Sequence, residues 1–335
     1  MRRILLSTLV LALTGCLTAQ PADNLTAQAT TSQTARQVQL PNKDGSVKFL
    51  VLGDTGTGGS DQLAIAKQAA AFRSRFPFDF AIMLGDNLYG SERPRDYARK
   101  FEQPYKPLLD AGVKFYASLG NHDDPNQRMY KLFNMNGERY YTFKPSLTAG
   151  VRFFALDSTY MDPKQVEWLE EELANSGSDW KIAFFHHPPY ASGMHGSDEI
   201  LKGQLEPLFV KYGVNVVFTG HEHFYERIKP QKGVQYFVSG SSAKLRRGDI
   251  ERSSLTAFGY DQGYTFMLVE VDGDQMHFQT IDSRGKSIDT GVIMKGANDK
   301  VIGTTGRGAA PKPAQNAPAA KPQNGNPKPQ SPDPK

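Results

Sequence analysis

Five apolar, strand-like runs in this chain end in residues that bind metal ions: Phe49-Leu-Val-Leu-Gly53-Asp54, Ala81-Ile-Met-Leu-Gly85-Asp86, Phe115-Tyr-Ala-Ser-Leu-Gly120-Asn121-His122, Ile182-Ala-Phe-Phe-His186 and Val216-Val-Phe-Thr-Gly220-His221-Glu222-His223. Two carboxylates, one amide and several imidazoles suit a pair of cations. Asp86 can bridge two ions through its two oxygens, and Asp54 can supply a terminal carboxylate. Asn121 offers a neutral amide oxygen that keeps the charge of the site low, while His186, His221 and His223 complete the shells through ring nitrogen. A single Gly-Asp after a strand is ordinary turn chemistry. The set is not, because four of the seven histidines fall in these clusters, His187 and His195 follow within nine residues of His186, and only His277 lies apart.

The composition excludes other chemistries. Cys16 is the only cysteine, so the folded part contains no disulfide, no thiolate zinc site and no cysteine nucleophile. A formal net charge of +4 demands no nucleic-acid partner. Gly53-Asp54-Thr-Gly56-Thr-Gly58-Gly59-Ser60 follows a strand and opens a helix as a phosphate-binding loop would, but it lacks the lysine that reaches the phosphates. Its glycines read instead as a sharp turn behind Asp54. Lys244-Leu-Arg246-Arg247-Gly-Asp249 reads either as a basic rim facing a phosphorylated substrate or as a solvated loop.

Bringing five strand ends to one site requires an α/β sheet, in which ligands gather beyond the carboxyl ends of the strands. The hydrophobic pattern predicts it: strand 47–52, helix 60–76, strand 79–84, helix 94–110 and strand 113–117, then strand 151–156, helix 163–175, strand 181–185, helix 198–212 and strand 214–218. From Gly233 strand follows strand, at 234–239, 264–271, 274–282 and 287–294, with Asp272-Gly273 and Arg284-Gly285 as turns. This predicts a meander added to a mixed sheet.

The chain ends have another character. Residues 1–16 carry two arginines, an apolar stretch and Leu13-Thr14-Gly15-Cys16, which read as a secretory signal and resemble the bacterial lipobox. The expectation is an exported lipoprotein held at the membrane of the cell envelope through lipidated Cys16. Residues 17–45 then read as a flexible tether, 46–296 as the folded domain and 297–335 as a disordered Pro-, Ala- and Lys-rich tail.

The order Gly53-Asp54, Gly85-Asp86-Asn-Leu-Tyr89, Gly120-Asn121-His122-Asp123, His186 and Gly220-His221-Glu-His223 resembles the calcineurin-like metallophosphoesterases. Tyr89 and the segment Gly220-His-Glu-His-Phe-Tyr-Glu-Arg227 look further like the purple acid phosphatases, including their tartrate-resistant type. The resemblance implies a four-layer α/β/β/α sandwich of two mixed sheets. It implies that Asp54, Tyr89 and His223 hold one metal, that Asn121, His186 and His221 hold the other, and that Asp86 bridges. A phenolate donor suits Fe(III), and an amide with two imidazoles suits a divalent ion such as Fe, Zn or Mn. The implied reaction is hydrolysis of small phosphate monoesters by a metal-bound hydroxide. A phosphodiesterase or nucleotide-cleaving activity of the same centre is the alternative, and a non-catalytic metal- or phosphate-binding lipoprotein a third reading. His122 and His195 are the candidate catalytic groups, to bind a phosphate oxygen or protonate the leaving alkoxide. His187 reads equally as an outer-sphere group or as a packed residue before Pro188-Pro189.

Overall fold

The structure, a computed structural model, describes residues 37–147, 149–251 and 253–296 together with the strand Val301–Ile302. The expected signal and lipobox, and nearly all of the expected tail, lie outside these residues. Fourteen strands are described: β1 Val47–Leu52, β2 Phe80–Leu84, β3 Lys114–Ser118, β4 Tyr141–Phe143, β5 Val151–Ala155, β6 Trp180–Phe185, β7 Val216–Thr219, β8 Tyr225–Ile228, β9 Gln235–Ser239, β10 Thr256–Tyr260, β11 Thr265–Asp272, β12 Gln275–Asp282, β13 Ser287–Met294 and β14 Val301–Ile302. They form two seven-stranded sheets, ordered β14-β13-β12-β11-β1-β2-β3 and β10-β8-β9-β7-β6-β5-β4. Five helices accompany them: α1 Ser60–Arg73, α2 Pro94–Tyr97, α3 Gln103–Asp110, α4 Pro163–Ala174 and α5 Glu199–Tyr212.

The alternation within each central strand builds the layers. In β1, Phe49 and Val51 face the core between the sheets, where Phe153, Phe184, Phe218 and Phe278 meet them. Leu50 and Leu52 face the opposite way, onto Ile65, Ala69 and Phe72 of α1. Phe154, Phe185 and Val217 of the second sheet likewise turn outward onto Leu169 and Leu173 of α4 and Leu205 and Phe209 of α5. A strand buried on both faces must be apolar throughout, which is why these runs read as continuous rather than alternating. The result is two mixed sheets flanked by helices, the expected fold.

The element boundaries differ from the sequence reading where hydrogen bonding decides. The expected helix 94–110 is interrupted by a π-turn, Ala98–Glu102, before α3. Pro104 has no N–H to give the Lys100 carbonyl, which accepts from the buried Gln62 side chain instead. The expected meander is divided between the sheets. Strand β9 lies parallel to β7 in the second sheet, whereas β11 crosses back to pair antiparallel with β1 and continues through β12 and β13. The last part of the expected tether is docked: Leu40 is buried in the first-sheet core, and Glu270 accepts from the backbone N–H groups of Asn42 and Lys43 at 2.6 and 2.7 Å.

Candidate metal centre

The strands that deliver the candidate ligands run parallel within each sheet, β1-β2-β3 in one and β6-β7 in the other, so their carboxyl ends share an edge. Asp54 follows β1, Asp86 follows β2, Asn121 lies just beyond β3, and His186 and His221 follow β6 and β7. The chain turns sharply at these points. Asp54, Asp86 and His221 all adopt left-handed backbone angles, with φ of 56°, 50° and 69°. Such angles cost on the order of 1 kcal/mol or more for a residue with a side chain, and they persist here because the surrounding structure imposes them. Two glycines let the loops close. A Cβ on Gly120 would come within 2.3 Å of Asp86 Oδ1, and one on Gly220 within 2.5 Å of Asp54 Oδ2.

All seven expected ligands meet at this edge. Asp54 accepts from Tyr89 Oη at 3.1 Å through Oδ1 and from the His221 backbone N–H at 3.0 Å through Oδ2. His223 Nε2 lies 3.3 Å from both Asp54 Oδ1 and Tyr89 Oη. On the other side, Asn121 Oδ1 lies 3.0 Å from His186 Nε2 and 3.1 Å from His221 Nδ1, and those two nitrogens are 3.2 Å apart. Asp86 reaches across, with Oδ1 3.4 Å from His186 Nε2 and a carboxylate oxygen grouped with donor atoms of Asp54 and His223 within 4.8 Å. The two carboxylates and His186 are wholly buried.

The donor chemistry fits bound cations. His186 Nδ1–H donates to the Leu84 carbonyl at 2.9 Å, so Nε2 presents a lone pair to the site. That lone pair faces an amide oxygen at 3.0 Å, an arrangement of donor against donor that a cation satisfies. The electrostatics agree. Burial, and then the charge of Asp86, push the Asp54 carboxyl well above the usual range. Burial, followed by Asp54 and Asp86, holds the Tyr89 phenol well above its own. Burial depresses His186 strongly, with His187 adding to it, depresses His221, with His186 adding, and lowers His223 to about 4, with Arg246 adding. The imidazoles are therefore kept neutral and free to coordinate, while ionisation of buried Asp54 beside Asp86 calls for positive charge between them.

Residues 47–225 match the calcineurin-like phosphoesterase family. The chain belongs to this family. It is 26% identical to purple acid phosphatase 17 of Arabidopsis thaliana over 269 residues, covering 68% of this chain and 79% of the relative. It is 25% identical to tartrate-resistant acid phosphatase type 5 of Homo sapiens over 291 residues, covering 72% and 89%. Among solved structures, the purple acid phosphatase PPD1 from yellow lupin seeds aligns with a TM-score of 0.59 at 17% identity, over 76% of this chain and 55% of that one. GAP50, the anchor in the inner membrane complex of Plasmodium, aligns with a TM-score of 0.66 at 19% identity, over 75% and 89%. These two likenesses show the fold.

In this phosphoesterase the two candidate catalytic histidines take different positions. The His122 backbone N–H donates to Asp86 Oδ1 at 3.0 Å, and its exposed ring lies 5.0 Å from the Tyr89 ring. The His195 ring lies 4.6 Å from that of His221, and Arg246 Nη1 is 3.1 Å from His195 Nδ1. Lys244 Nζ stands 4.3 Å over the Tyr89 ring, so the basic segment borders the centre. Three residues that sequence reasoning did not single out hold this surround together. Glu222, fully buried between His221 and His223, accepts the His195 backbone N–H at 3.0 Å, and burial lifts its carboxyl to about 7. Glu226 accepts from the backbone N–H and hydroxyl of Ser192 and from the hydroxyl of Thr256. Ser158, beyond β5, contacts His187. The Glu-x-x-x-Glu spacing within 222–226, two acids alternating with buried aromatics, was the available signal for the glutamates. Ser158 had none.

Proposed function

We propose that the protein is a phosphomonoesterase of the purple acid type, with Fe(III) held by Asp54, Tyr89 and His223, a divalent Fe, Zn or Mn ion held by Asn121, His186 and His221, and Asp86 shared between them. The observation that carries this reading is the approach of seven donor side chains from both sheets, with the amide oxygen of Asn121 3.0 Å from a ring nitrogen that has no proton to offer it. Two such ions, when bound, supply Lewis acidity that activates water and takes up phosphate charge. The chain's own groups do the rest. His195, placed by Glu222 and flanked by Arg246, is the candidate to give a proton to the leaving oxygen, and His122 is the candidate to bind a phosphate oxygen. Arg246 and Lys244 bring positive charge to the rim where a phosphorylated substrate arrives.

Small phosphorylated molecules are the proposed substrates, with no nucleic-acid partner. The proposed location is the cell envelope, through lipidated Cys16. Elemental analysis should find two metal ions per chain, and aryl monoesters should be turned over faster than bis-aryl diesters. A metal-loaded protein that prefers the diester would replace this reading with a phosphodiesterase, and one that hydrolyses neither would end it. Intact-mass spectrometry of protein from membranes should find Cys16 acylated, and a soluble chain cut elsewhere would remove the anchor.

A further inference from the structure

We propose that the cavity beside Asn121 and His221 holds the alcohol portion of the substrate, and that His187 is a substrate contact there which favours monophosphates of polyhydroxylated alcohols such as sugars. The inference rests on the phosphoesterase reading above and extends it to the leaving group. The cavity measures about 870 Å³ and opens directly onto the Asn121 and His221 donors, a volume within the range of small-ligand clefts. An ester whose phosphate is held at the metal centre has this space beside it for its alcohol.

The walls are suited to hydroxyl groups. His187 is half-buried, with its ring 4.5 Å from that of His221 and 4.9 Å from that of His186. Ser158 Oγ accepts the His187 backbone N–H at 3.0 Å and lies 2.9 Å from His187 Nδ1. The Ser158 hydroxyl thereby engages the Nδ1 side of the ring. Nε2 is the ring nitrogen left to meet a substrate hydroxyl, which can donate or accept. Asp198, whose Oδ1 caps α5 by accepting from the Ile200 and Leu201 N–H groups, and Glu199, whose Oε2 pairs with Lys202, line the same cavity with a second carboxylate oxygen each, while exposed Met194 and Ile200 offer apolar contact for the C–H face of a ring. One ring nitrogen, two carboxylates and an aliphatic edge recognise a neutral group rich in hydroxyls, which donate and accept alike.

The test uses full-length, metal-loaded protein and the ratio of kcat/KM for glucose 6-phosphate to that for butyl phosphate, whose alcohol has no further hydroxyl. The ratio should exceed one for wild type and fall roughly five- to tenfold in His187→Phe, as expected for loss of a hydrogen bond to substrate. Ser158→Ala, which leaves the ring in place but free to turn, should lower the ratio by about threefold, and it serves if His187→Phe does not fold. A wild-type ratio at or below one overturns the inference while leaving the phosphoesterase reading intact. So does an unchanged ratio in either folded variant, which makes His187 a packing residue, and so does loss of metal from His187→Phe, which makes it a ligand. Failure of wild type to hydrolyse either ester or phenyl phosphate sinks both readings.

Discussion

The two halves of the metal centre are built alike, from loops at the ends of parallel strands, yet they differ in charge. Asp54, Tyr89 and His223 form a half whose oxygen donors must lose protons to bind a cation well, and burial opposes that loss at both oxygens. Asn121, His186 and His221 form a half of neutral donors. Positive side chains attend the first half, with Lys244 over Tyr89 and Arg246 within reach of Glu222 and His195. The second half faces an open cavity. The contrast teaches that one end of the site offers oxygen donors that need positive charge before they ionise, and the other offers neutral donors beside an open cavity. Each of the following changes acts on one half, or on what joins them.

The largest effect is expected from removing the residue that both halves share. Asp86→Ala should lose both metals and lower turnover by at least about 10⁴-fold, since no other described side chain reaches donors of both sets. Elemental analysis after extensive dialysis is the check. Full occupancy in the variant would mean that the halves bind independently.

On the substrate side, His195→Ala should keep both metals and lower kcat by roughly 10² to 10⁴, as for a positioned proton donor. Glu222→Ala, which removes the acceptor for the His195 backbone N–H, should lower kcat in the same direction but by less. Equal turnover in His195→Ala and wild type would reduce that residue to support of His221, on which its ring packs.

The first half also leaves a signature in stability. His223 is held at about 4 by burial and Arg246, against an ordinary value of 6.5. Between those values the unfolded chain binds a proton that the folded chain does not. The contribution is therefore complete above pH 6.5 and is lost as pH falls through 4, a change on the order of 3 kcal/mol. Urea unfolding of metal-free protein across this range should show a steeper loss for wild type than for His223→Gln. Parallel curves would remove the assigned shift.

How much of this arrangement was legible depended on whether a residue's role was local. Asp54, Asp86 and His186 follow apolar runs directly, so sequence alone placed them at strand ends, and β1 begins and ends where the pattern predicts. Strand β8 was missed because Glu226 and Arg227 make it look exposed. It is fully buried, and its charges are met by Ser192 and Thr256 and by Asp289, residues 30 to 62 positions away. The division of the late strands between two sheets was hidden for a related reason. Sequence shows that β9 and β11 are strands, but their neighbours, β7 and β1, are set by packing across the core. Ser158 carries no signal of its own, since its role exists only through His187.

The smallest rate effect is expected at Tyr89, where the comparison is also most visible. Its hydroxyl lies 3.1 Å from Asp54 and 3.3 Å from His223, and without a cation burial, with the two carboxylates adding to it, keeps it protonated. A trivalent ion in this half would reverse that balance, because direct coordination favours the phenolate over the phenol. If the proposed assignment of Fe(III) to this half holds, charge transfer from phenolate to metal makes the protein pink to violet. Tyr89→Phe should abolish the colour, retain metal in the neutral half and lower turnover by about tenfold, since one donor is lost while Asp54, His223 and Asp86 remain. The stronger Lewis acid also activates water at lower pH, so wild type should work best under acid conditions. A colourless wild type with two divalent ions and an alkaline optimum would show that the halves differ in donors but not in the charge of the ions they hold.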